Sequence, residues 1–200
     1  MTLKNKKLID ISLCFAIVTA LLLSMCGFLD SCEEMYDNIV RIRIIANSDS
    51  TDDQAVKLKV RDAILESTKE LFSVAETCND ALCIASDNLD AIGGGARSTL
   101  ISNGFNYGVT AEVKSEFFDT RVYDDFTLPA GEYDSLVLTL GEGKGQNWWC
   151  VMFPSVCVGA AAGMLTDTIS QESANYAQNS GKYVLKFKTV EIFEKIKKII

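Results

Sequence analysis

The sequence predicts an α+β protein: an N-terminal signal or anchor helix, then one domain in which a long helix pair packs on a mostly antiparallel sheet. Three observations carry this expectation. A charge-free apolar run, Ile11–Leu29, opens the chain; helical apolar spacing dominates the stretch 52–101; and period-two alternation marks Val40–Ile44 and Val109–Lys114, with Tyr133–Leu140 a β-rich run apolar enough for an interior strand.

The composition sets the bounds. With 200 residues, 48% hydrophobic and 23% charged, the chain has enough apolar side chain for one core and an appendage. Its 19 Lys+Arg against 27 Asp+Glu leave a formal charge of -8, so it lacks the basic footprint of a nucleic-acid binder. It contains no His. That removes the commonest general base, the Ser-His and Cys-His nucleophile systems and nearly all catalytic zinc sites. No cofactor or metal is expected.

Lys4, Lys6 and Lys7 precede the apolar run, and Asp30, Glu33 and Glu34 come after it. As a helix at about 1.5 Å per residue the run spans roughly 28 Å, close to the bilayer hydrocarbon thickness of about 30 Å. The lysines keep the N-terminus in the cytoplasm and export the remainder of the chain. Residues 1–32 therefore read as a signal peptide or membrane anchor and 33–200 as an exported domain. The run is longer than the usual signal core of about 7–15 residues, which favours an anchor, but a cleaved signal stays open. Export permits disulfides. Cys150 with Cys157, around Pro154, is the tightest candidate bridge and Cys78 with Cys83 the second, with a free buried thiol as the alternative at each position.

Within the domain, Val40, Ile42 and Ile44 alternate with Arg41 and Arg43, a strand with one buried face. The run Asn47-Ser48-Asp49-Ser50-Thr51 supplies helix caps, and Asp52-Asp53 complement the dipole of a helix over 52–75. That helix carries Val56, Val60, Ile64 and Leu71 on one face and Leu58, Leu65 and Phe72 on another, so it needs two covers: the sheet and a second helix over Asn79–Asp90. Gly93-Gly94-Gly95 is expected to break the pattern before a short helix, Ala96–Ile101, closed by Asn103-Gly104. Tyr183–Lys188 alternates as a further strand, Glu191–Ile200 reads as an amphipathic helix, and 159–181 as a partly mobile connection.

The loop Gly141–Trp149 is the most conspicuous local chemistry. Its Gly-Glu-Gly-Lys-Gly lacks the glycine spacing and the Ser or Thr of a phosphate loop, so no nucleotide site is expected. Glu142, Lys144, Trp148 and Trp149 instead combine aromatic anchors with rim charges, the composition of a partner-binding surface. Core packing of at least one tryptophan is the alternative.

Two long segments resemble the stage II sporulation protein R family. One is Arg43–Ser50 continuing through Asp53–Asp62; the other is Leu128–Tyr133 together with Gly141–Pro154. The resemblance runs from about Val40 to Cys157. It implies a non-enzymatic trigger, made in the forespore and exported into the space between forespore and mother-cell membranes. There it would switch on a membrane-embedded, aspartic-type peptidase of the mother cell, which then processes a precursor sigma factor. Two other readings stand beside it. One is an exported cell-wall-acting enzyme with Asp49, Asp52, Asp53, Glu112, Glu116 and Asp119 as acid and base, although capping and a polar strand face account for most of these carboxylates. The other is a passive membrane-anchored structural domain.

Overall fold

In the computed structural model, which describes residues 3–154, 165 and 167–198, the chain opens with one long helix, α1 (Leu3–Asn38). Its stretch Asp10–Asn38 is long and apolar enough to cross a membrane by length and composition. Ile11, Phe15, Leu21, Leu22 and Leu23 are exposed, whereas Phe28, Cys32 and Met35 are buried. The same helix that carries the apolar run therefore continues without a break into the folded domain.

After α1 come β1 (Val40–Ile45), α2 (Thr51–Phe72), α3 (Cys78–Asp87), α4 (Leu89–Ser102), β2 (Val109–Phe118), β3 (Arg121–Val122), β4 (Thr127–Leu128), β5 (Gly131–Leu140), β6 (Asn147–Phe153), α5 (Gln171–Gln178) and α6 (Val184–Lys197). Four strands form a sheet in the order β2-β5-β1-β6, with β3 and β4 as a separate short hairpin. The pairings β2–β5 and β1–β6 are antiparallel and β1–β5 is parallel. The fold is thus α+β, with helices on a mostly antiparallel sheet.

Val40, Ile42 and Ile44 of β1, with Leu136 and Leu138 of β5, meet Val56, Val60 and Ile64 of α2 and Ile92, Ala96 and Leu100 of α4 in the main core. The helix pair differs from expectation in one respect: α4 is the main neighbour of α2, and α3 lies beside them. The three glycines do not break α4. An added Cβ at Gly93 would sit 3.5 Å from Ala111 of β2 and one at Gly95 3.8 Å from Ile64, ordinary contact distances, so close approach does not require glycine there; α4 is held by the burial of Ile92, Ala96 and Leu100, which outweighs low helix propensity. Gly104, at φ +86°, does end the helix as expected. Gly94 is exposed with nothing within 4 Å of its would-be Cβ. Gly94→Ala should therefore raise stability by about 0.5–1 kcal/mol, read as a higher denaturation midpoint.

The other sheet face is covered as well. Met35, Ile39, Phe118, Tyr133, Val151, Ala174 and Ala177 pack there, bringing the end of α1 and α5 onto the strands. β1 is consequently an interior strand with two buried faces rather than one. Arg41 is fully buried, its guanidinium 4.0 Å from the Phe118 ring centroid and 5.0 Å from that of Tyr133, donating to Tyr123 Oη at 2.7 Å. Of the connection over 159–181, 159–164 and 166 lie outside the described residues, but 171–178 is a docked helix. Its N-cap Ser170 donates through its backbone N and its Oγ to the Glu34 carboxylate of α1 at 2.7 and 2.6 Å.

The expected strand over Tyr183–Lys188 is instead the entry to α6. Phe187 and Val190, three apart, share one helical face and bury against Phe28 and Cys32 of α1. The short alternation there satisfied both periods, and the apolar side of α1 decided between them.

Candidate functional site

Because β1 and β5 are parallel, their C-terminal ends lie side by side, and the segments leaving the two strands are forced into contact. After β1 comes the turn Ala46–Ser50 that caps α2; after β5 comes the glycine loop 141–146 that returns into β6. The loop backbone is laced onto the turn. Gly145 N donates to Ala46 O at 2.9 Å, and Lys144 N to Asn47 O at 3.1 Å. Glu142 N donates to Asn47 Oδ1 at 2.9 Å, and Gln146 N to Asp49 Oδ1 at 2.7 Å.

Asp53 holds the turn from below. Its N–H donates to the N-cap Ser50 Oγ at 3.1 Å, while its carboxylate accepts from Ser48 Oγ at 2.6 Å, Asn47 Nδ2 at 2.9 Å and Tyr107 Oη at 2.8 Å. Burial would raise its pKa, but the bonds from Ser48, Asn47 and Tyr107 outweigh burial and hold the carboxyl below its ordinary value. The buried Lys57 bridges α2 to the loop, donating to Gln54 Oε1 at 2.6 Å and Gln146 O at 2.9 Å. Burial pushes its pKa down, with Asp49 opposing.

Two of the loop glycines have a steric reason. At Gly141, φ +58°, a Cβ would stand 2.1 Å from Asn47 Oδ1; at Gly145 it would stand 2.2 Å from the Ser48 carbonyl oxygen. A side chain at either position would push the loop off the turn.

Of the four residues expected to bind a partner, Glu142 and Lys144 are exposed at the loop tip and pair with each other at 2.7 Å. That pairing lowers the pKa of Glu142 and raises that of Lys144. Trp148 and Trp149 lie in β6 rather than in the loop, on opposite faces of the sheet and both half-buried. Trp148 packs against the α2–α4 core with the Arg61 guanidinium 5.5 Å from its ring centroid. Trp149 meets Phe118 edge-on at 4.8 Å, with Arg43 at 4.6 Å. Glu142 and Lys144 thus form an exposed charged tip, whereas the two tryptophans are held by packing on opposite faces of β6.

The carboxylates considered for catalysis are dispersed. Asp49 lies in the turn and Asp53, in the first turn of α2, is bonded to it; Glu116 accepts both bonds from Arg43 at 3.0 Å; Glu112 pairs with Lys114, and Asp119 with Lys195 at 3.1 Å. Among the described residues no cluster of three or more His, Cys, Asp or Glu is placed to hold a metal ion. Cys78 and Cys83 are free thiols on α3, where five-residue spacing keeps them from bridging. Cys157 lies outside the described residues, and Cys150 is not among the free thiols.

Asp53 reads in the sequence as a helix-dipole residue, and its role as hub of the turn shows only once Tyr107 arrives from beyond α4. No local pattern announces Tyr107 or Lys57. The spacing Ser50-x-x-Asp53 is the one available signal, since it is that of a cap reinforced from its third residue.

Both segments laced together here lie within the region that the family comparison matches. The profile of the family described as stage II sporulation protein R (spore_II_R) matches residues 36–162, from the end of α1 to a point before α5. The chain is 36% identical over 121 residues to the stage II sporulation protein R of Bacillus subtilis (strain 168), an alignment covering 60% of this chain and 54% of that protein. The match thus spans about half the length of the curated relative. No solved structure matches.

Proposed function

Because the chain belongs to the stage II sporulation protein R family, we propose that it is a forespore-to-mother-cell signal that activates a membrane-embedded, aspartic-type peptidase processing a precursor sigma factor. Family membership is the observation that carries this reading. It is supported by the lysine-flanked apolar helix, which suits export into the intermembrane space, and by its unbroken passage into the domain, which suits a site of action close to the membrane. The dispersal of the carboxylates into caps and ion pairs supports a binding role over a catalytic one. An activator works only by favouring the active state of its target, so it must bind that state more tightly than the inactive one.

The loop tip is the proposed contact, because the lacing to Ala46–Asp49 presents Glu142 and Lys144 on a rigid base. Deletion of the chain should leave the sigma precursor uncleaved, and the full chain should restore cleavage. Lys144→Glu and Glu142→Lys, both at exposed positions, should change stability by no more than about 0.5 kcal/mol. Each should nonetheless cut precursor processing several-fold in an immunoblot time course. Folded, exported variants that process the precursor at the full rate would exclude the tip.

The disulfide Cys150–Cys157 belongs to the same proposal, on the grounds of export and of Cys150 not being a free thiol. Alkylation of unreduced protein and subsequent mass spectrometry should leave both residues unmodified.

A further inference from the structure

We infer that the start of α6 dips into the outer leaflet of the membrane and fixes the height of the domain above it, an inference that rests on α1 being retained as an anchor. The charge-free run Ile11–Leu29, at about 1.5 Å per residue, matches the roughly 30 Å of hydrocarbon only if its last turns lie within the outer leaflet. Those turns are where α6 packs. Lys186 Nζ donates to Ser24 O at 2.9 Å, and the Phe187 ring centroid is 5.1 Å from that of Phe28. A groove between the two helices is lined by Leu21, Ser24, Met25, Tyr183, Val184 and Leu185. Leu185 is 83% exposed and Val184 53%, beside Leu21 at 63% and Leu23 at 69%. A domain standing in water would not present these side chains together.

The chemistry around this tip is that of a bilayer interface. Tyr176 and Tyr183 meet edge-on at 4.7 Å, and Lys186 Nζ lies 4.9 Å from the Tyr176 ring centroid and 5.5 Å from that of Phe28. Tyrosines sit at headgroup level, and lysines bury their stems while their ammonium groups reach the phosphates. Lys182 is exposed beside them. The occupant of the groove is therefore an acyl chain of an outer-leaflet phospholipid, with anionic headgroups near Lys182 and Lys186. Helix α1 alone would act as a tether; with the second point of contact at Tyr183–Lys186 the domain has a set depth and tilt.

The test uses the full chain in nanodiscs of phosphatidylglycerol and phosphatidylethanolamine doped with a phospholipid carrying a photoactivatable diazirine in its acyl chain. After illumination, mass spectrometry should find lipid adducts on the fragment carrying Tyr183–Lys186 as well as on Ile11–Leu29. Leu185→Asp and the milder Leu185→Ser, both at an exposed position, should lower the first yield at least tenfold and leave the second unchanged. Adducts confined to α1 would overturn the inference and keep the anchor. Adducts on neither segment would overturn both.

Discussion

Asp53→Ala should destabilise the domain by about 3–5 kcal/mol, because it removes a buried ionised acceptor and strands the donors aimed at it. Ser48 and Asn47 donate to this carboxylate from the turn and Tyr107 from the segment between α4 and β2, so the loss reaches beyond the helix cap. A cap substitution alone would cost about 1 kcal/mol. The direction of the pKa shift sets the pH dependence. The folded state holds the Asp53 carboxyl below its ordinary value, so the unfolded chain takes up the proton first and stability falls as pH drops. The contribution is complete above the unfolded carboxyl pKa of about 3.9 and is lost as pH falls through the lower folded value. Chemical denaturation of wild type and Asp53→Asn at pH 7 and pH 3 should show the gap between them shrinking at the lower pH. A gap independent of pH would mean that the carboxylate is not ionised in the folded turn.

Gly145→Ala is expected to cost about 3 kcal/mol, the upper end for forcing a methyl group into a filled space. The clash is with backbone: the new Cβ would fall 2.2 Å from the Ser48 carbonyl oxygen and 2.9 Å from Ala46 Cβ, so no rotamer relieves it. The loop or the turn must move, and the bond from Gly145 N to Ala46 O goes with it. Gly94→Ala, the same chemical change on an open helix face, should move the unfolding midpoint the opposite way. The pair compared in one denaturant series separates a steric from a conformational role for glycine. Equal and small effects at both positions would show that the loop is not seated on the turn as described.

Period and capping made much of this fold legible in advance. Val40–Ile44 and Val109–Lys114 alternate, Tyr133–Leu140 is a β-rich apolar run, and all three are strands, while the Asn-Ser-Asp-Ser-Thr run sets the start of α2 within a residue. Where reading failed, the deciding contact came from far along the chain. Alternation at Arg41 and Arg43 suggests a solvated face, but the end of α1 and α5 cover it, and Phe118 and Tyr133 enclose the Arg41 guanidinium. Alternation at Tyr183–Lys188 is too short to exclude a helix, and the apolar side of α1 selected the helical arrangement that buries Phe187 and Val190. In the candidate site, the glycine loop and the capping turn are each visible in sequence as special. Their contact is not, because it depends on β1 and β5 being parallel neighbours. Trp148 and Trp149 illustrate the same limit: adjacency in a strand sends them to opposite faces, which local composition does not reveal until the segment is known to be extended.

The measurement that bears most directly on the proposed role is reconstitution in a non-sporulating host. The full chain would be co-expressed with the membrane-embedded peptidase and its sigma precursor, each partner being omitted in turn, and precursor cleavage read by immunoblot. Cleavage that requires both the peptidase and the exported chain, persists with Gly94→Ala and falls with Lys144→Glu is the predicted result. Cleavage at the same rate without the chain, or no cleavage when the folded chain is exported beside an intact peptidase, would contradict it.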